Sequence, residues 1–206
     1  MSFEPPDEES AALLDVGRSV ADRAEPGEQV EAFVARSAYT TVRAHGGDIE
    51  SFTSAVSAGI GIRVVRDHRQ GFAWAGTLDT DAIAATLADA RDNATFAEPD
   101  EWVGLAEPDG VAPVPFDAFD PAVAALDPAR KIELALELER MVRGGDPRIT
   151  GVRVSTYSDS SSRFAVASST GIAGAGRGAW CSMSALALAE DGDETYTGGG
   201  STVGFR

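Results

Sequence analysis

The chain has 206 residues, 43% of them hydrophobic, enough for one large domain or two small ones with a sizeable buried core. Seventeen Lys and Arg against 33 Asp and Glu leave a formal charge of −16, which excludes nucleic-acid phosphates and anionic membranes as main partners. A single cysteine excludes an internal disulfide, and with no secretory leader or bilayer-length apolar run the expected origin is cytoplasmic.

In chain order, residues 1–10 hold two prolines and four acids and are expected to form a flexible acidic N-terminus. Residues 11–206 form the folded region. Ser10 is the expected cap of a helix carrying Leu13, Leu14, Val16, Val20 and Ala24 at helical spacing, ended by Pro26-Gly27. Alternating residues predict strands over 30–35 and 39–44, with a turn at Gly46-Gly47-Asp48. Residues 49–56 predict a further strand, broken by Gly59-Ile60-Gly61 and resumed at Ile62. A second turn is expected over residues 67–71, before a strand over 72–75. Such brief connections imply antiparallel pairing, because parallel strands need long crossovers.

From Asp79 the period becomes helical, with Ile83, Leu87, Ala90 and Ala94 on one face as far as Phe96. Residues 98–128 contain six prolines and predict a long loop that packs Trp102, Phe116 and Phe119 onto the body. Asp127-Pro128 opens another helix, lined by Ile132, Leu134, Leu136, Leu138, Met141 and Val142 and stopped at Gly144-Gly145. Strands then return over 149–157, 162–168, 179–189 and 195–205, with turns at Ser158-Asp159, Thr170-Gly171 and Asp191-Gly192. The order predicts an α+β fold: antiparallel sheet with the helices near 80–96 and 128–143 packed on one face.

Candidate chemistry is sparse. His45 and His68 are the only histidines, both in predicted turns, and neither forms a metal-binding pair. Cys181, between Trp180 and Met183 in a predicted strand, reads as a small buried hydrophobe. Ser158, Ser160, Ser161 and Ser162 lack a nucleophile elbow and read as a hydrophilic turn. Gly171, Gly174, Gly176 and Gly178 match no phosphate-loop pattern and read as a flexible connection. Glu190, Asp191, Asp193 and Glu194 make an acidic turn. No catalytic, metal or cofactor-binding residue is assigned within 1–206. The strands over 182–189 and 197–202 are open to two readings, internal pairing or addition of an extended peptide.

Several segments together resemble the TldD/PmbA protease family. They are Gly47-Asp48-Ile49-Glu50, residues 59–64 and Gly71-Phe72-Ala73, followed by Asp146-Pro147-Arg148-Ile149, residues 168–172, Cys181-Ser182-Met183-Ser184 and residues 189–194. The resemblance implies an α+β N-terminal region of a longer chain. It also implies a heterodimer in which a catalytic TldD-type subunit carries zinc in a later domain. A PmbA-type (TldE) partner lacks the metal ligands, and the pair cleaves unfolded peptides. The Cys-Ser-Met-Ser and Glu-Asp-Gly-Asp segments are more similar to the PmbA type, which is favoured, whereas Gly198-Gly199-Gly200 is similar to the TldD type. The alternative function is an autonomous, non-catalytic peptide-binding or scaffold module. A chain cut before its next domain is further expected to self-associate through the strands near 179–189 and 195–205.

Overall fold

The structure, a computed structural model, describes residues 7–111 and 118–205. It is α+β, with one six-stranded antiparallel sheet in the order β3-β2-β1-β4-β5-β6. The strands are β1 (Glu28–His45), β2 (Asp48–Arg66), β3 (Arg69–Ala75), β4 (Ile149–Ser168), β5 (Ala173–Asp191) and β6 (Glu194–Gly204). Helices α1 (Glu8–Ala21), α2 (Thr80–Phe96), α3 (Pro121–Ala124) and α4 (Pro128–Arg143) complete the chain. Two compact units share these strands. Unit 1 takes residues up to 37, 57–117 and 162–177; unit 2 takes 38–56, 118–161 and 178–206.

In unit 1, α1 and α2 cover the same face of its stretch of sheet. Leu13, Leu14 and Val20 of α1 join Ile83, Leu87 and Ala90 of α2 over Val30, Ala32, Val34, Ile62 and Val64. Helix α2 follows the expected stripe and packs on β3. Gly71 of β3 makes that approach possible, since a Cβ there would collide with the Ala90 carbonyl and the Ala94 amide. The cap of α1 is Asp7 rather than Ser10. The Asp7 carboxylate accepts from Ser10 N–H (2.8 Å) and is anchored by Arg163 and Arg177. Residues 8–10, expected to fray, therefore begin the helix; residues 1–6 lie outside the described residues.

Several expected breaks are absent. Gly59-Ile60-Gly61 lies inside an unbroken β2, where Gly61 pairs with Trp74 and leaves room for the Phe72 ring beside it. The glycines admit neighbours; they do not stop the strand. Arg69, Gln70 and Gly71 belong to β3, because the turn is only Asp67-His68, both at positive φ. Ser158-Asp159 is no turn: β4 runs straight through it, and Asp159 is buried against Lys131. Gly174, Gly176 and Gly178 lie in β5, with Gly176 seating the Phe164 ring. Trp102 is exposed rather than packed, Phe119 is half-buried, and Phe116 lies outside the described residues.

Unit 2 is built around α4, lying over Val42 and Ala44 of β1 and Tyr157 of β4. Asp127 caps it by accepting from Ala129 N–H (2.8 Å), as the Asp-Pro pair predicts. The buried positions of α4 are Lys131, Ala135 and Glu139, not the expected leucines.

Candidate functional site

The turn-by-turn spacing 131, 135, 139 places one residue per turn on the underside of α4. Two of those three are charged, and each is held. Lys131 Nζ donates to Thr40 Oγ1 and Asp159 Oδ1, both at 3.0 Å, and stands 2.7 Å from Asp159 Oδ2. Tyr157, two residues before Asp159 on β4, is buried beside the same carboxylate. Burial, with the Asp159 charge beside it, pushes the Tyr157 phenol well above the usual tyrosine range. At the other end of α4, Glu139 accepts from Gly47 N–H (3.0 Å) in the β1–β2 turn and pairs with Arg143 (3.1 Å). Ser155 of β4 donates to the Ala135 carbonyl (2.8 Å), fixing the middle of the helix.

With the underside of α4 committed to these anchors, its apolar residues fall on the flanks. Leu134, Leu138, Met141 and Val142 form the wall of a groove of about 770 Å³. Its floor is the β5–β6 hairpin. The register pairs Ala185 with Gly200, Ala187 with Gly198 and Met183 with Thr202, so the small residues of both strands share one face. A smaller groove of about 350 Å³ continues past Leu134, Met183 and Thr202 to Leu126, Tyr157 and Cys181. The Cys181 thiol is half-buried there, against the unit 2 core. Met141 is 73% exposed, an unusual position for a helix residue on an apolar stripe.

The other sequence candidates do not converge. His45 ends β1 rather than sitting in the turn, and its Nδ1 contacts the Val152 carbonyl (3.1 Å). His68 is in the β2–β3 turn of unit 1. Ser158 to Ser162 lie along β4, where the Ser158 and Thr41 hydroxyls bond (3.1 Å). The acidic stretch ends β5 and opens β6 around the Gly192-Asp193 turn. Among the described residues, no group of three or more His, Cys, Asp or Glu side chains is placed to hold a metal ion, so the residues present do not fit a zinc centre. Arg63 pairs with Glu31 at 2.9 Å. No helix among the described residues is long and apolar enough to cross a membrane.

What sequence reasoning missed is the groove. Its wall was read as core, because apolar spacing alone cannot say that Lys131 and Glu139 take the buried side. Its one available signal was the meeting of the chain's only lysine with Asp159, residues whose burial requires each other.

Comparison with known proteins divides the chain along its sequence, whereas the two units interleave. Residues 30–94 match the family model described as PmbA/TldA metallopeptidase domain 1, and residues 121–206 match the PmbA/TldA metallopeptidase central domain. Metalloprotease PmbA of Escherichia coli O157:H7 is 31% identical over 132 residues, 62% of this chain and 28% of that protein. Among solved structures, TldE from Thermococcus kodakarensis superposes with a TM-score of 0.76 at 19% identity, over 94% of this chain and 42% of that one. A candidate modulator of DNA gyrase from Bacteroides thetaiotaomicron gives 0.80 at 21% identity, over 96% of this chain and 45% of that one. The chain thus spans less than half the length of these relatives.

Proposed function

The chain belongs to the PmbA/TldD metallopeptidase family, and from that premise we propose that it serves as the PmbA-type, metal-free part of a two-subunit cytoplasmic peptidase, holding unfolded peptide for a zinc-bearing TldD-type partner. The observation that carries this reading is the groove of unit 2. It is lined by Leu134, Leu138 and Met141 on one side and by Ala185, Ala187 and Gly198 below. An apolar trough with a floor of small residues accepts varied side chains of an extended chain without demanding one sequence. Its charged neighbours lie on the outer turn of α4, where Arg130 pairs with Glu133 (3.0 Å) and Glu137 (3.1 Å). The likeness to PmbA supports the PmbA type over the TldD type.

Because the groove lies wholly within unit 2, it also supports a second reading, an autonomous peptide-binding module. The test separates them. A fluorescein-labelled unfolded peptide rich in Leu and Val is titrated into the purified chain, alone and with a TldD-type subunit. Ala187→Trp, which fills the floor, is the comparison. Saturable binding lost in the variant, together with co-elution and peptide cleavage in the presence of the partner, is the expected result. Binding without any association with the partner selects the autonomous module. Equal binding by the wild type and Ala187→Trp contradicts both.

A further inference from the structure

The turn that joins β2 to β3 carries more charge than the fold ties down. Asp67 and His68 both take positive φ, so the turn is two residues long and Arg66 pairs directly with Arg69 across the ladder. Arg66 continues the inward run Ile60, Ile62 and Val64, and Arg69 shares the α2 side of β3 with Gly71. Like charges directly opposite on one face of a sheet repel. Arg66 is exposed and reaches Glu25 at 3.4 Å. Arg69 donates to the carbonyl of Ala97, the C-cap of α2, and has no carboxylate partner among the described residues. A guanidinium carries five donors, so these single ties leave most of both forks open.

The two arginines line a pocket of about 460 Å³ in unit 1, within the usual range for small ligands of about 300–1,000 Å³. One acid of the pocket is committed. Glu28, with a side chain only 1% exposed, accepts from Arg91 at both carboxylate oxygens, Nε to Oε1 at 3.0 Å and Nη2 to Oε2 at 2.8 Å. Two others are not. Asp67 in the turn and Asp92 on α2 line the same pocket, and among the described residues neither carboxylate has a hydrogen bond or an ion pair. A simple anion would meet Asp67 and Asp92, and a simple cation would meet Arg66 and Arg69. A molecule carrying both signs complements all four.

We propose that this pocket binds a short zwitterionic peptide, its α-carboxylate on Arg66 and Arg69 and its ammonium on Asp67 and Asp92. One carboxylate can accept charge-assisted hydrogen bonds from both guanidinium groups, which offsets their mutual repulsion. A dipeptide spans at most about 7 Å, short enough to place both termini in the one pocket. The buried Val64 and Ala94 give an apolar side chain a surface to lie against. Peptide cleavage releases such molecules, yet the site stands whether or not the unit 2 groove binds unfolded peptide.

Titration of the nitrogen-15-labelled chain with glycyl-leucine, followed by amide NMR shifts, tests it. Saturable shifts confined to residues 64–69 and 91–95 are expected. N-acetylglycyl-leucine and glycyl-leucinamide each lack one charge and should bind at least about tenfold more weakly. Arg69→Gln should weaken glycyl-leucine to the same degree and leave the amide unchanged. Asp92→Asn, at an exposed position with no side-chain partner, should weaken glycyl-leucine about threefold and leave the N-acetyl peptide unchanged. That second variant keeps the test decisive if Arg69→Gln fails to fold. Ala187→Trp should change nothing at this site, so failure of the groove reading and failure of this one are told apart. Absence of saturable shifts overturns the proposal, as do shifts centred on unit 2 or equal affinity for all three peptides. Inorganic phosphate binding as tightly as glycyl-leucine overturns it too, since the pocket would then be a plain anion site.

Discussion

Units 1 and 2 share four strands and treat their helices in opposite ways. In unit 1, α1 and α2 turn their apolar residues down, and Val20, Val30, Ala32, Val34 and Ile62 are fully buried. In unit 2, α4 turns charge down. Lys131 and Glu139 are buried, while Leu134 and Leu138 are half-covered and Met141 is open. Burying charge is costly unless every charge is paired, and leucines in those positions would be at least as stable. The arrangement is therefore poorly explained by stability alone. It makes sense as a way of fixing α4 to the sheet while leaving its leucine flank available. The glycines tell the same story. In unit 1, Gly59 and Gly71 sit where any Cβ would strike backbone, and Gly176 where it would strike the Phe164 ring. In unit 2, Gly198 and Gly200 have nothing within 4 Å of an added Cβ. The floor of the unit 2 groove has space at Gly198 and Gly200, where the α2–β3 seam of unit 1 has none at Gly71.

The contrast can be broken at its anchors. Lys131→Met leaves the buried Asp159 carboxylate without its cation and should cost about 3–5 kcal/mol in urea unfolding. Adding Asp159→Leu should recover most of that loss; no recovery would mean that the pair does more than satisfy itself. Next in size is a test of closure. Gly71→Ala should destabilise by about 1–3 kcal/mol or more, because α2 must lift from β3. Gly200→Ala should be neutral, or stabilising by up to about 1 kcal/mol through the unfolded chain. Equal losses at both positions would erase the distinction between the units.

A smaller effect should follow pH, within unit 1 alone. Burial works to raise the Asp7 carboxyl. Hydrogen bonds from Ser10, Arg163 and Arg177 outweigh it and hold the group well below the usual carboxylate range. A carboxylate with a depressed folded pKa adds stability that is fully present above its unfolded pKa, about 3.9, and lost as pH falls toward the folded value. Asp7→Asn should therefore cost about 2 kcal/mol at pH 7 and progressively less below pH of about 4. An unchanged difference between wild type and variant from pH 7 to pH 3 would contradict the assignment. Least of all, Met141→Gln should leave stability within about 0.5 kcal/mol, since the side chain is mostly in water.

Much of this fold was legible in the sequence where local chemistry decides it. Asp127-Pro128, the positive-φ pair Gly46-Gly47 and the Ile83–Leu87–Ala90–Ala94 stripe each report their structure within a few residues. Short turns gave the antiparallel class. The misreadings fall where tertiary contact overrides local preference. Gly59 and Gly61 look like breaks until Phe72 and Ala75 are placed beside them. Asp159 looks like a turn residue until Lys131, 28 positions earlier, is found against it. The groove was hidden for the same reason. Periodicity counts the leucines of α4 but cannot weigh them against Lys131, buried against Asp159 of β4, and Glu139, buried against the Gly47 amide of the β1–β2 turn.

Amide hydrogen exchange by mass spectrometry, with and without the labelled unfolded peptide, tests most directly whether unit 2 is the binding half. The open groove predicts protection confined to α4 around residues 134–142 and to the β5–β6 face around 183–189 and 198–202, with unit 1 unchanged. Protection centred on α1, α2 or β3, or no protection at saturating peptide, would contradict it.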